Sequence, residues 1–262
     1  MQSIRSIIIA AALPIAAATL GAQDTDSWTW NGTLGEGRTV YLHNVNGAVR
    51  FETGSGNAVE VRAVKRWRRG DPADVRIEAR MAGAGDGDVI VCALWSPRAT
   101  CDQDGIRSER TREWDRSNDV SVEFTIRVPV SARIDANTVN GDVSISEVRG
   151  SIRAKTVNGD IEARSTGGRV IANTVNGSIT VAGLVDAGGV EYGTVNGSIT
   201  IELPANADAN LDLSTVNGRI ATEFPITFDG TIDPRRIRAA IGDGGGTLRA
   251  RTVNGSIRLR KL

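Results

Sequence analysis

The sequence predicts an all-β fold, a parallel β-solenoid, and three observations carry that expectation. First, the phrase Thr-Val-Asn-Gly-(Asp/Ser/Arg)-(Val/Ile) occurs six times, beginning at Thr138, Thr156, Thr174, Thr194, Thr215 and Thr252. Its steps are 18, 18, 20, 21 and 37 residues, the last about two of the others. A fixed period of this length marks one supersecondary unit that buries its apolar side only by stacking on its copies. Second, the segments between the phrases alternate apolar and polar residues with period two, the pattern of half-buried strands. Third, the chain beyond its first residues shows no helical periodicity; only Pro234–Gly242 predicts a helical turn or two.

Within the array a half-period of nine is visible: Val139, Val148 and Val157 each precede a turn and an apolar pair, Val143/Ile145, Ile152/Ala154 and Ile161/Ala163. One rung of 18–21 residues is therefore two short strands and two turns. Asn-Gly is also the strongest hairpin signal, so an antiparallel meander competes. Val139 and Val143 are both apolar in every copy. We read this as a corner with both pointing inward, which favours the solenoid. Stacked in parallel, the Asn residues form a ladder of amides. The expected turn ladder is Asn140-Gly141, Asn158-Gly159, Asn176-Gly177, Asn196-Gly197, Asn217-Gly218 and Asn254-Gly255. In the simplest reading Asn is there because it tolerates a left-handed backbone, and Gly because it supplies one freely.

The N-terminal half is less regular. Asn44-Val-Asn-Gly-Ala-Val is an early, weaker copy of the phrase. Residues 67–119 form an irregular excursion rich in Arg, Asp and Gly; regular repeats fill 120–262. Cys92 and Cys101 lie nine apart and predict a disulfide pinning the base of this excursion, as an oxidising compartment favours. Closing so short a loop is worth roughly 2–3 kcal/mol. Trp28 and Trp30 are expected to cover the N-terminal end of the stack, and Ser256–Leu262, ending in charges, to be the edge strand at the other end.

Residues 1–22 read as a secretion signal: Arg5, then an apolar run from Ile7 to Leu20, with cleavage near Ala22. Residues 23–262 are then one β-solenoid domain, exported to the periplasm or secreted, with no transmembrane anchor after cleavage. Lys+Arg and Asp+Glu are 31 each, which argues against a nucleic-acid partner. The basic knot Lys65–Arg69 reads as a solvated loop or strand end in preference to a phosphate or anionic-polymer site, and the following Gly70-Asp71-Pro72 supports a loop.

Little chemistry is visible. His43 is the sole histidine, so a nucleophilic triad lacks its usual base. Two cysteines without nearby nitrogen ligands do not make a metal site. No catalytic residue, metal or cofactor is predicted. The one enzymatic alternative is a pair of carboxylates, Asp142 and Asp160, in equivalent positions of adjacent rungs about 4.8 Å apart. Such a pair resembles the acids of a retaining glycosidase and suggests a polysaccharide-active enzyme. Later copies carry Ser178, Ser198, Arg219 and Ser256 there, so the position reads as a tolerant polar turn site.

On the Asn44-Val-Asn-Gly-Ala-Val segment, the Thr-Val-Asn-Gly copies and the closing Gly244–Leu259 segment, the chain resembles the bacterial "putative adhesin" β-solenoid family from about Trp28 to Leu262. That resemblance implies a right-handed, single-stranded β-helix. It also implies a binding or structural, adhesin-like module of the cell envelope, with a protein or envelope polymer as its unknown partner. The disulfide-bearing excursion is not a feature of that family.

Overall fold

Each repeated phrase turns a corner between two strands, and the strands fall alternately into two long sheets of ten and eleven strands. The computed structural model of the protein describes residues 24–83, 87–108, 118–228 and 233–262. The predicted signal at 1–22 and part of the excursion, 109–117 with Trp114, lie outside the described residues. The architecture is all-β and solenoid-like. The one helical element among the described residues is a 3₁₀ turn at Pro72–Asp74. Pro234–Gly242 contains the strand Arg236–Ile241 in place of a helical turn: the i, i+4 spacing of its buried Ile237 and Ile241 suits helix and strand alike, and pairing with Ala209–Ser214 makes it a strand.

Numbered by position in the stack, coil 1 pairs Asp88–Leu94 with Ser121–Val128, and coil 2 pairs Thr39–His43 with Val49–Thr53. Coil 3 is Arg133–Asn137 with Val143–Ser146, and coil 4 is Ile152–Lys155 with Ile161–Thr166. Coil 5 is Val170–Asn173 with Ile179–Gly183, and coil 6 is Val190–Asn196 with Ile199–Leu203. Coil 7 is Thr247–Asn254 with Ile257–Lys261, and coil 8 is Ala209–Asn217 with Ile220–Thr222. The stacking contacts between coils are parallel, and identical positions superimpose: Val143 lies over Val49, Ile161 over Val143, Ile179 over Ile161 and Ile199 over Ile179; the register slips only after Arg164 in coil 4. The inward residues of every coil fill one apolar column. Each such Val or Ile taken fully from water stabilises by about 1.5–3 kcal/mol.

Chain order and stacking order part company at both ends. Coil 2 precedes coil 1 in the sequence yet lies between coils 1 and 3. At the other end Thr247–Asn254 inserts between Val190–Asn196 and Ala209–Asn217, and Ile257–Lys261 inserts between Ile199–Leu203 and Ile220–Thr222. The last step of 37 residues is therefore one step of the stack, taken backwards. The intervening chain runs antiparallel along the outside of coil 8 as Arg236–Ile241 and then returns. The expected C-terminal edge strand is an interior strand with a neighbour on each side.

Antiparallel strands close most of the ends. Ala58–Trp67 covers Ser121–Val128 and is itself covered by Asp24–Thr33; Arg76–Ala82 covers Asp88–Leu94. Trp28 and Trp30, on the outermost strand, pack half-buried against the main core.

Candidate functional site

The stacked corner is the most regular surface. Its amides form one unbroken column: Asn140 Nδ2 donates to Asn46 Oδ1 (2.7 Å), Asn158 to Asn140 (2.7 Å) and Asn176 to Asn158 (2.8 Å). The column continues from Asn196 to Asn176 (2.8 Å), from Asn254 to Asn196 (2.7 Å) and from Asn217 to Asn254 (2.8 Å). Each interior Asn thus donates once and accepts once. Left-handed backbone is not the reason for Asn: the sole non-glycine residue with positive φ among the described residues is Glu147. Nor is it the main reason for Gly. A Cβ on Gly177 would stand 2.0 Å from the Gly159 carbonyl oxygen, and one on Gly197 1.9 Å from that of Gly177. Glycine is needed because each corner approaches the one below more closely than a side chain permits.

The phrase-initial threonines point inward and are buried. Thr156 Oγ1 donates to the Gly141 carbonyl (3.0 Å), Thr174 to Gly159 (3.0 Å) and Thr194 to Gly177 (2.8 Å). The following valines do not point inward. Val139, Val157, Val175, Val195 and Val253 are 38–39% exposed and Val216 is 55% exposed, while Val143 is buried. Val139 faces out because it follows the inward Thr138 in the strand, the corner at Asn140–Asp142 resets the alternation before the inward Val143, and the corner reading with both inside is wrong. What separates solenoid from meander is the parallel register between copies.

Asp142 and Asp160 do sit in adjacent coils, and their carboxylates accept from the backbone. The Asp160 N–H donates to Asp142 Oδ1 (2.8 Å), and the Ser178 N–H to Asp160 Oδ1 (2.7 Å). Ser178 Oγ accepts from the Ser198 N–H, Ser198 Oγ from Ser256, and Ser256 Oγ from Arg219. From coil 3 to coil 7 the position thus supplies a side-chain oxygen to the next coil, whereas coil 2 carries Ala48 there. Arg219 belongs to coil 8, the end of this column, and has no coil above it to supply.

The second surface lies where the excursion meets the array. In coil 1 the excursion replaces the Asn-Gly corner, leaving after Leu94 and returning at Val120. The Cys92–Cys101 disulfide ties it down, with a Cα separation of 6.5 Å. Ile90, Cys92, Leu94, Ala99 and Cys101 form a small outer core, with Tyr41 and Ile106 packed on it. A short hairpin, Thr100–Asp102 with Gly105–Arg107, stands on this core. The other foot is held by Asp119, whose carboxylate accepts from the backbone N–H groups of Gly70, Arg69 and Arg68. Those bonds, the one from Gly70 foremost, hold its pKa below the ordinary carboxylate value. The basic knot thus works through its backbone, while Arg66 pairs with Glu123 and Lys65 with Asp26.

Between this hairpin and the sheet is a cleft of about 530 Å³. Asp135, Asn137, Arg153 and Lys155 of coils 3 and 4 form one wall, and Gln103 to Ile106 the other. His43 also lines it, 5% exposed, in register with Cys92 of coil 1 and Asn137 of coil 3. Sequence distance hid that proximity of His43 and Cys92. Burial lowers the imidazole pKa, against the opposing pull of the Asp135 charge and of backbone hydrogen bonds to Gln103 and Asp102, so the ring is neutral at pH 7. No group of three or more metal-ligating side chains occurs among the described residues.

A family model, Toastrack DUF4097, matches residues 114–260. The chain belongs to the Toastrack family. Its match spans coil 1's second strand to the C-terminal strand and leaves coil 2 outside. No curated protein matches the chain. Among solved structures, the chain is similar to a "putative cell adhesion protein" from Clostridium sporogenes ATCC 15579, at 10% identity over 91% of this chain and 100% of that one, with a TM-score of 0.40. It is also similar to a "putative adhesin" from Bacteroides fragilis NCTC 9343, at 14% identity over 90% and 97%, with a TM-score of 0.39.

Proposed function

We propose that this Toastrack chain is an exported, non-catalytic binding or structural module of the cell envelope, with the array as a rigid scaffold and the excursion as its individual surface. One observation carries the reading: Asp142 and Asp160, the only stacked acid pair the sequence offers, spend their carboxylates on the backbone of the next coil. The cleft beside the excursion instead presents varied side chains on a fixed frame, as binding sites do when loops are carried by a rigid fold. Export is supported by the disulfide and by the apolar N-terminal run, read as a cleaved signal at 1–22. No helix of the described residues is long and apolar enough to cross a membrane. We take the coil to be a single-stranded right-handed β-helix, because a strand returning to a parallel neighbour in the same sheet crosses over right-handed in nearly all proteins.

The test is capture of isolated envelope polymers by the exported protein, alongside a screen for their cleavage. Retention of a polymer without turnover supports the proposal. Turnover abolished by Asp142→Asn or Asp160→Asn overturns it.

A further inference from the structure

We infer that two copies of this chain pair edge to edge through the outermost strand, Asp24–Thr33, as a two-fold dimer. The two long sheets have four ends, and three of them are blunted. Thr227–Phe228 is two residues long and Ile220–Thr222 three. Arg76–Ala82 carries Arg76, Glu78 and Arg80, and both arginines reach to carbonyls of the excursion: Arg76 to those of Pro97 (3.2 Å) and Ala99 (3.0 Å), Arg80 to that of Cys101 (2.8 Å). Short strands and charges are what keep a sheet edge from pairing with another chain.

The fourth end has neither protection. Asp24–Thr33 is ten residues long, holds no proline, lysine or arginine, and is uncharged from Ser27 onward. One side of it pairs along its whole length with Ala58–Trp67; no described strand pairs with the other side. A cleft of about 500 Å³ lies between Asp26–Trp28 and Arg76–Ile77, so the end of the other sheet does not close this edge. An open edge offers alternating N–H and C=O groups, and an extended chain takes them up in series.

The side chains select a second copy as that chain. In a two-fold antiparallel pair the numbers of facing residues have a constant sum. The sum is even, because alternate residues of a strand bond to opposite sides. With Thr29 on the axis, Trp28 faces Trp30 of the second copy and Trp30 faces its Trp28; Ser27 faces Asn31, and Asp26 faces Gly32. No acid meets an acid. Trp28 and Trp30 are only half-buried against their own core, and cross-strand aromatic pairs are among those that stabilise a sheet. Thr29 and Asn31 are exposed, and Thr meeting Thr across the axis is another favourable pair. An unrelated peptide would meet the same backbone without this match.

The test is sedimentation velocity of the exported protein, which is expected at twice the mass of a single chain. Because Thr29 is exposed, Thr29→Lys and Thr29→Glu leave the core untouched. Each sets two like charges face to face across the axis, which is destabilising. Each variant alone is expected to sediment as a single chain, and their equimolar mixture to regain the doubled mass. Circular dichroism checks that the variants fold. Where they do not, Thr29→Cys takes their place: on oxidation it is expected to give a disulfide-linked dimer, whereas Asn31→Cys, which faces position 27 and lies too far from its own counterpart for a disulfide, is not. The inference is overturned by a single-chain mass in the wild type, by a dimer that Thr29→Lys and Thr29→Glu leave intact, or by a mixture that stays at the single-chain mass. Linkage through Asn31→Cys as ready as through Thr29→Cys overturns it as well.

Discussion

Coils 3 to 6 and coils 7 and 8 at the C-terminal end of the stack are built from the same corner, yet they are ordered by different rules. In the middle, each coil follows its predecessor in the chain, and the corner repeats with its buried Thr, exposed Val, bonded Asn and crowded Gly. At the C-terminal end the chain leaves the stack, lays a strand antiparallel across the outside, and puts a coil back one place inward; at the other end coil 1 is added outside coil 2 before the chain passes to coil 3 on the inner side. An identical corner fits beside any other copy, so the corner alone does not dictate who neighbours whom. The caps do: once Arg236–Ile241 lies outside coil 8, the next coil has only the inner place.

The sharpest way to break this contrast is to remove coil 7. Deleting 247–262 leaves the facing strands of coils 6 and 8 unpaired on both sheets. We expect loss of the cooperative unfolding transition seen by circular dichroism. Removing only the outermost strand by deleting 24–33 strips a single antiparallel partner and is expected to leave a folded, less stable protein.

The next contrast is between glycines. Gly177→Ala drives a Cβ to within 2.0 Å of the Gly159 carbonyl oxygen, and the stack has to open there. It is expected to cost about 3 kcal/mol or more in urea unfolding. Gly56→Ala meets no atom within 4 Å and is strained only by φ of +62°, costing about 1–2 kcal/mol. Equal costs would mean that corner spacing is not what demands glycine.

Smaller effects separate middle from end in the amide column. Asn176→Ala breaks two side-chain bonds and Asn217→Ala one; at about 1 kcal/mol each, the first should cost roughly twice the second. At the coil 7–8 junction, Asp212 accepts from Arg249 at 3.2 Å and Arg251 at 3.4 Å, with Arg238 at 3.8 Å. Burial pushes its pKa up, but these guanidinium groups outweigh it and the net shift is downward. Asp212→Asn is expected to destabilise the junction by about 1–2 kcal/mol.

The smallest effect concerns the excursion's foot. Asp119 has its pKa lowered on folding, so its contribution is present above the ordinary carboxylate value and disappears as pH falls through the lower, folded value. Amide exchange of Arg69 and Gly70 should quicken below about pH 4, with the core amides unchanged.

Much of the fold was legible in the primary structure. The phrase gave the coil length, and Val143, Ile145, Ile161 and their copies gave the inward column. The amide ladder followed from stacking identical corners. What misled was the Val of Thr-Val-Asn-Gly, apolar in each copy yet outside: β-branched residues suit extended backbone whichever way they face. The stacking order at the C-terminal end was obscured because 37 residues equal two ordinary steps. Arg219, the one of the six copies without a side-chain oxygen, does lie in the end coil, but Ala48 of interior coil 2 lacks one too, so that residue type alone does not mark an end. The cleft was not legible, because His43, Gln103 and Lys155 are separated in sequence and meet only through register and the disulfide-held hairpin.

Central to the account is a single in-register stack in which coil 7 lies inside coil 8, and spin-label distances from one exposed corner valine test it most directly. With coils about 4.8 Å apart, labels at Val139→Cys and Val253→Cys should lie about 19 Å apart, and at Val139→Cys and Val216→Cys about 24 Å. The shorter distance to position 253 is the predicted result; a shorter distance to position 216 would contradict it.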